Sequence, residues 1–277
     1  LDTRKNAKRF LELVKPKIAF FIKYEIWPNF MAEIKKRNIK SLLISGAFRE
    51  NQIYFKPYGG FMRKALQTFD HIFVQNEASI TLLKNIGFNN TTLSGDTRFD
   101  RVSRQIQYNN KLEFAENFID KKTCLVAGST WPEDEEIIVP FINQTSEKLK
   151  VIIAPHEIKE EKINALEQKI KKKAIRYSQR ESRDLASYDV LILDTIGLLG
   201  KIYSYANIAY VGGAAGTTGL HNILEPATFG IPVIIGENYT KFPEAGRLRQ
   251  LAGLYSVANA EEFANITNKL ITDKHFR

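Results

Sequence analysis

The sequence predicts an α/β protein of two doubly wound, Rossmann-like domains, each a parallel sheet covered by helices on both faces. Three observations carry this. Short β-rich runs alternate with longer amphipathic stretches along the 277 residues. Two runs, VIIAP (151–155) and VLILD (190–194), are nearly continuously apolar, as strands buried on both faces are. The alternation breaks once, over a polar stretch at 105–122 rich in Asn, Lys and Glu, and then resumes. The domains are accordingly set at 1–107 and 108–277.

In chain order, IAFFIK (18–23) reads as the first strand, followed by a helix from Pro28 to Arg37 with Phe30, Met31 and Ile34 as its apolar stripe. SLLIS (41–45) is the second strand. A helix over 60–68, the strand HIFVQN (71–76), a helix over 78–85 ended by Gly87, and the strand TTLSG (91–95) complete the first series. With four strands and an abrupt start, this half reads as the back part of a domain. The second series has six strand candidates: 123–129, 151–155, 190–194, 208–213, 232–236 and 254–258.

Composition narrows the function classes. Hydrophobic content of 44% and charged content of 26% fit a globular protein. No apolar run approaches the ~20 residues of a membrane-spanning helix. The single cysteine, Cys124, excludes an internal disulfide and sits in the apolar run TCLVAG, as a buried core residue does. Four scattered histidines lack HExxH spacing, so no metal site is expected. The net charge of +9, with lysine clusters at 35–37 and 171–173, fits solvated helix ends or a surface drawn to anionic partners. Basic motifs interleaved with aromatics are missing, which argues against nucleic acid.

Ligands of open α/β sheets bind at the carboxyl ends of strands. Polar residues stand there: Tyr24-Glu25, Ser45–Arg49 and Gly95-Asp96 in the first half, and Ser129, Thr130, His156 and the run Gly212–Asn222 in the second. The run GGAAGTTGLHN (212–222) contains neither GxGxxG nor a P-loop lysine. Gly212, Gly213, Gly216 and Gly219 nevertheless suit close approach of an anion, and a helix over 220–229 would aim its positive end at them. Glu225, about one turn into that helix, can accept both hydroxyls of a ribose. The structural alternative makes Glu225 a helix-terminus acid and His221 a cap. Glu133, Asp134, Glu135 and Glu136 read as acids complementing a helix dipole after Pro132.

EIWPN (25–29), FVQNE (73–77), GDTRFDRV (95–102), AGSTWPEDEE (127–136), APHE (154–157) and VGGAAGTTGLHNILEPATFGIPVIIG (211–236) follow one another in that order. At this spacing the chain resembles bacterial transferases of 3-deoxy-D-manno-octulosonic acid (Kdo). The resemblance covers essentially the whole chain and is most specific in the 211–236 run. It implies a GT-B fold, two Rossmann-like domains with a cleft between them and an incomplete first domain. It also implies an inverting, metal-independent glycosyltransferase without a cofactor. Such an enzyme moves Kdo from CMP-Kdo to a lipid A precursor (lipid IVA) in lipopolysaccharide core biosynthesis.

By the same resemblance, Gly212, Gly213, Gly216, Gly219, His221 and Asn222 bind the donor phosphate and sugar, and Glu225 the ribose. Ser129, Thr130 and His156 line the CMP site, while Glu25, Arg49 and Arg98 face the acceptor side of the cleft. Two stretches depart from the family: APHE has Pro155 where PRHP carries an arginine, and SGAFRE poorly matches NARLS. A phosphate contact is then lost or supplied by another cation, such as Lys159 or Arg98. The general base is expected upstream of Leu1, with Glu25 as the in-chain alternative. The expected partners are CMP-Kdo, a lipid A precursor and the anionic surface of the inner membrane. The expected location is that membrane's cytoplasmic face, held peripherally or by an anchor outside this chain. Rival readings are a UDP-sugar transferase or epimerase, and a non-catalytic nucleotide-sugar or lipid A binding module.

Overall fold

A computed structural model describes residues 1–145 and 149–277 and divides them into two units, Leu1–Asp100 and Arg101–Arg277. The first unit holds a four-stranded sheet in the order β1-β2-β3-β4, from β1 (Ile18–Ile22), β2 (Lys40–Gly46), β3 (His71–Val74) and β4 (Thr91–Leu93). All three pairings are parallel. Helices Pro28–Lys36, Gly60–Leu66 and Glu77–Asn85 connect the strands, close to the ranges expected from the sequence. A further helix, Arg4–Val14, precedes β1. Thr3 caps it, the side chain accepting from Asn6 N–H at 3.2 Å, and Ala7 and Leu11 are its buried contacts.

β1 is an edge strand. Ile18, Phe20 and Ile22 point out of the unit, and with Phe10, Leu13, Val14 and Trp27 they line an open cavity of about 1160 Å³. The core lies on the opposite side of the pleat, around Leu43, Ile72, Val74, Met31 and Leu83.

The second unit is built on seven parallel strands in the order β11-β10-β9-β5-β6-β8-β7. They are β5 (Thr123–Thr130), β6 (Leu149–Pro155), β7 (Ala174–Arg176), β8 (Val190–Ile192), β9 (Ile208–Val211), β10 (Val233–Gly236) and β11 (Leu254–Val257). Six match the strands expected from the sequence; β7 is additional. Alternate side chains feed two cores, one on each face. Cys124, Val126, Ile152, Ala209 and Ile235 enter the first, and Leu125, Ala127, Val151, Tyr210 and Ile234 the second. Cys124 is fully buried, and burial pushes its thiol pKa up to about 12, so it stays an inert core group.

The polar stretch after residue 105 contains a helix, Glu113–Ile119, whose Ala115, Phe118 and Ile119 pack into the first of these cores. Its polar composition describes the outer face only. Lys150 is buried within β6 because its ammonium donates to the carbonyls of Ala186 (2.7 Å) and Tyr188 and lies over the Phe118 ring. No helix among the described residues is long and apolar enough to cross a membrane.

Candidate functional site

The site is assembled by the register of three central strands. β5 pairs with β9 through Gly128 and Val211, and with β6 through Thr130 and Pro155. The residues just beyond those strands, Trp131, His156 and the Gly212–Asn222 run, therefore emerge side by side. Ser129 takes a left-handed conformation (φ 54°) at an irregularity between Gly128 and Thr130, which turns the chain into the helix Pro132–Gln144.

Three rings meet there. Trp131 stacks on His156 with ring centroids 4.4 Å apart, and His156 lies 4.5 Å from His221. The Trp131 indole N–H donates to His221 Nε2 at 3.0 Å. Burial lowers the pKa of His221, the neighbouring His156 lowers it further, and Asp134 opposes them. His221 is thus not a helix cap; it is turned into the aromatic group.

Beneath the rings lies Asp134, fully buried. From the third position of its helix it reaches back to Trp131 N–H (2.8 Å), half of a capping box. The same carboxylate accepts from Gly213 N–H (2.8 Å), Ala215 N–H (3.4 Å) and the Tyr210 hydroxyl (2.8 Å). Asp134 is therefore more than a dipole complement, because it ties the glycine run to the helix. Two of the N–H groups that suggested an anion cradle are turned inward onto a carboxylate.

The glycines are needed for this approach. A Cβ on Gly212 would overlap the Ser129 carbonyl oxygen and Asp134 Oδ2. Gly213 has φ +95°, and a Cβ there would strike the Gly219 carbonyl. Gly219 N–H closes the run by donating to Gly213 O at 3.1 Å, and Gly216 sits against the Glu133 side chain.

The helix expected over 220–229 is reduced to a single turn, Leu224–Ala227. His221 N–H returns to Gly212 O (3.1 Å), and the Asn222 side chain accepts from Leu224 N–H (3.3 Å), so the backbone before Leu224 is spent on the loop. One turn carries little dipole, which removes most of the helix contribution to anion binding. Glu225 falls inside that turn. Asn222 Nδ2 donates to its Oε1 at 3.0 Å and Arg101 Nη2 lies 3.7 Å from the same oxygen, leaving Oε2 as the uncommitted acceptor.

Of the two strand-end hydroxyls, Ser129 is half-buried, whereas Thr130 is 2% exposed and its buried Oγ1 has no partner. The cations expected to replace the missing arginine are both engaged: Lys159 pairs with Glu157 at 2.9 Å and Arg98 with Asp96 at 2.7 Å. In the first unit, Glu25 accepts from the Trp27 indole N–H at 2.7 Å beyond β1, and Arg49 is exposed after β2, its N–H donating to Gln52. Arg98 follows β4, so Glu25 and Arg98 stand by the two edge strands of that sheet. Among the described residues, no group of three or more His, Cys, Asp or Glu could hold a metal ion.

Trp131 and Asp134 carry much of this site, and the sequence reading did not select them. The signal for Asp134 was its place three residues after Trp131 at a proline-opened helix start, where a side chain can turn back on the chain. Trp131 had a positional signal only: it directly follows a central strand.

Residues 1–101 match the family described as 3-Deoxy-D-manno-octulosonic-acid transferase (kdotransferase). A 3-deoxy-D-manno-octulosonic acid transferase of Rickettsia bellii is 27% identical over 98% of this chain and 65% of its own length. Further curated relatives carry the same description. The chain spans about half to two thirds of the length of the first curated relatives it matches. Among solved structures, the C-terminal CMP-Kdo binding domain of WaaA from Acinetobacter baumannii matches 64% of this chain and 90% of its own, at 21% identity and a TM-score of 0.51. The UDP-GlcNAc 2-epimerase of Neisseria meningitidis, solved with UDP-GlcNAc, matches 99% of this chain and 72% of its own, at 15% identity and a TM-score of 0.67. At such identities these likenesses establish the fold, which is GT-B.

Proposed function

We propose that this chain, which is similar to 3-deoxy-D-manno-octulosonic acid transferases, acts in transfer of Kdo from CMP-Kdo to a lipid A precursor such as lipid IVA, and that its second unit holds the CMP group. The observation that carries this is the meeting of Trp131, His156 and His221 above the Gly212–Gly219 run, with Glu225 held by one oxygen beside it.

In this reading an acceptor hydroxyl oxygen bonds to the anomeric carbon of Kdo while the bond from that carbon to the CMP phosphate oxygen breaks. CMP leaves with the electron pair, the anomeric centre inverts, and no metal takes part. His221, His156 and the N–H groups of the run that neither Asp134 nor a backbone carbonyl occupies meet the phosphate and sugar oxygens. Glu225 Oε2 takes the ribose. A carboxylate base receives the hydroxyl proton, and Glu25 is the strand-end carboxylate of this chain to test for that role.

The lipid partners and a seat on the anionic face of the inner membrane belong to the same proposal. Their support is charge: the first unit carries 17 Lys and Arg against 9 Asp and Glu, a net +8. The second carries 23 against 22, a net +1. Calorimetric titration of CMP tests the donor site. Glu225→Ala is expected to weaken CMP roughly tenfold to a hundredfold, the range of lost hydrogen bonds to a charged acceptor. UDP is expected to compete poorly. Unchanged CMP affinity in Glu225→Ala would remove the ribose role.

A further inference from the structure

The indole of Trp131 can only donate, so the hydrogen bond from its Nε1–H to His221 at 3.0 Å requires a lone pair on His221 Nε2. A proton on that nitrogen would set N–H against N–H. The ring edge next to Nε2 is also occupied, because His221 Cδ2 lies against Gly213. The opposite edge carries Nδ1, for which no described residue is a hydrogen-bond partner. The charged or titratable groups around the ring are His156, which directly follows β6 with its ring centroid 4.5 Å away, and Asp134 beneath it on the helix Pro132–Gln144. His156 is itself stacked on Trp131, so the indole contacts both histidines at once.

We propose that Trp131 is a positioning residue, whose indole N–H holds His221 as the neutral Nδ1–H tautomer so that this histidine presents one fixed N–H donor to an anionic or sugar oxygen of the bound nucleotide sugar. The tautomer assignment stands on the structure alone; its use rests on the donor-site reading above. A fixed donor matters because the glycine run has lost two of its own N–H groups to Asp134. A neutral His221 also avoids two imidazolium charges in contact, which would disfavour the stack. The same geometry excludes His221 Nε2 as a proton donor to substrate.

Long-range nitrogen–proton NMR of the histidine rings in the 15N-labelled 277-residue protein tests this, with His156→Gln and His221→Gln assigning the signals. The wild-type spectrum is expected to show His221 with its proton on Nδ1 near neutral pH. Trp131→Phe keeps a ring for the stack but removes the N–H. It is expected to shift His221 toward the Nε2–H form common to free imidazole and to weaken CMP roughly tenfold. An Nε2–H tautomer in the wild type, or an unchanged Nδ1–H tautomer in Trp131→Phe, overturns the proposal. The wild-type measurement reads whether or not the variant folds. If the tautomer behaves as stated but the wild type does not bind CMP, it is the donor-site reading that fails.

Discussion

Asp134 shows how a single side chain shapes the site. It satisfies Trp131 N–H, Gly213 N–H, Ala215 N–H and the Tyr210 hydroxyl from a position without solvent access. Burial and the adjacent carboxylate together push the Tyr210 pKa far up, so this hydroxyl remains a donor to Asp134. Each buried donor left unpaired costs about 1–3 kcal/mol. Asp134→Ala is therefore expected to free the glycine run before it unfolds the unit. The Gly213 amide should exchange with solvent on the order of tenfold to a hundredfold faster, read by hydrogen exchange. Unchanged protection of Gly213 in this variant would show that the run is held by other contacts.

At the scale of elements, the regular parts were legible and the exceptions have local causes. Strands such as VIIAP and VLILD announce themselves because both faces are buried, so nothing polar interrupts them. β7 escaped notice because it is three residues long and follows Lys171–Lys173, with no room for a pattern. The helix Arg4–Val14 carries a readable signal, Ala7, Phe10, Leu11 and Val14 at helical spacing after Thr3, although it lies before the first strand at which the alternation begins.

The helix over 220–229 was overread for a different reason. Leu220, Ile223 and Leu224 are buried, but the backbone hydrogen bond of His221 goes to Gly212, and no periodicity can show that. In the candidate site the strand-end placement of His156, His221 and Glu225 was legible from topology. The roles of Trp131 and Asp134 were not, since they depend on contacts across 79 and 90 positions of sequence.

β1 carries the element-scale prediction. Edge strands are usually blunted by charge or covered, whereas Phe20 is 60% exposed and Ile22 59% on this one. Phe20→Lys is expected to reduce concentration-dependent association of the 277-residue protein in sedimentation velocity without lowering its melting temperature. Association that persists at wild-type strength would locate the sticky surface elsewhere.

At the scale of the whole molecule, positive charge and exposed apolar side chains gather in one unit, while the stacked rings, the glycine run and Glu225 lie in the other. The central claim is that the second unit holds the nucleotide of the donor, and the chain provides its own reporters. It has two tryptophans, Trp27 in the first unit and Trp131 in the second, hence two indole N–H signals. Titrating CMP into the 15N-labelled protein while following those two signals tests the claim directly. A saturable shift of the Trp131 indole is expected, with Trp27 unmoved. A shift confined to Trp27, or no shift of Trp131 at millimolar CMP, contradicts it.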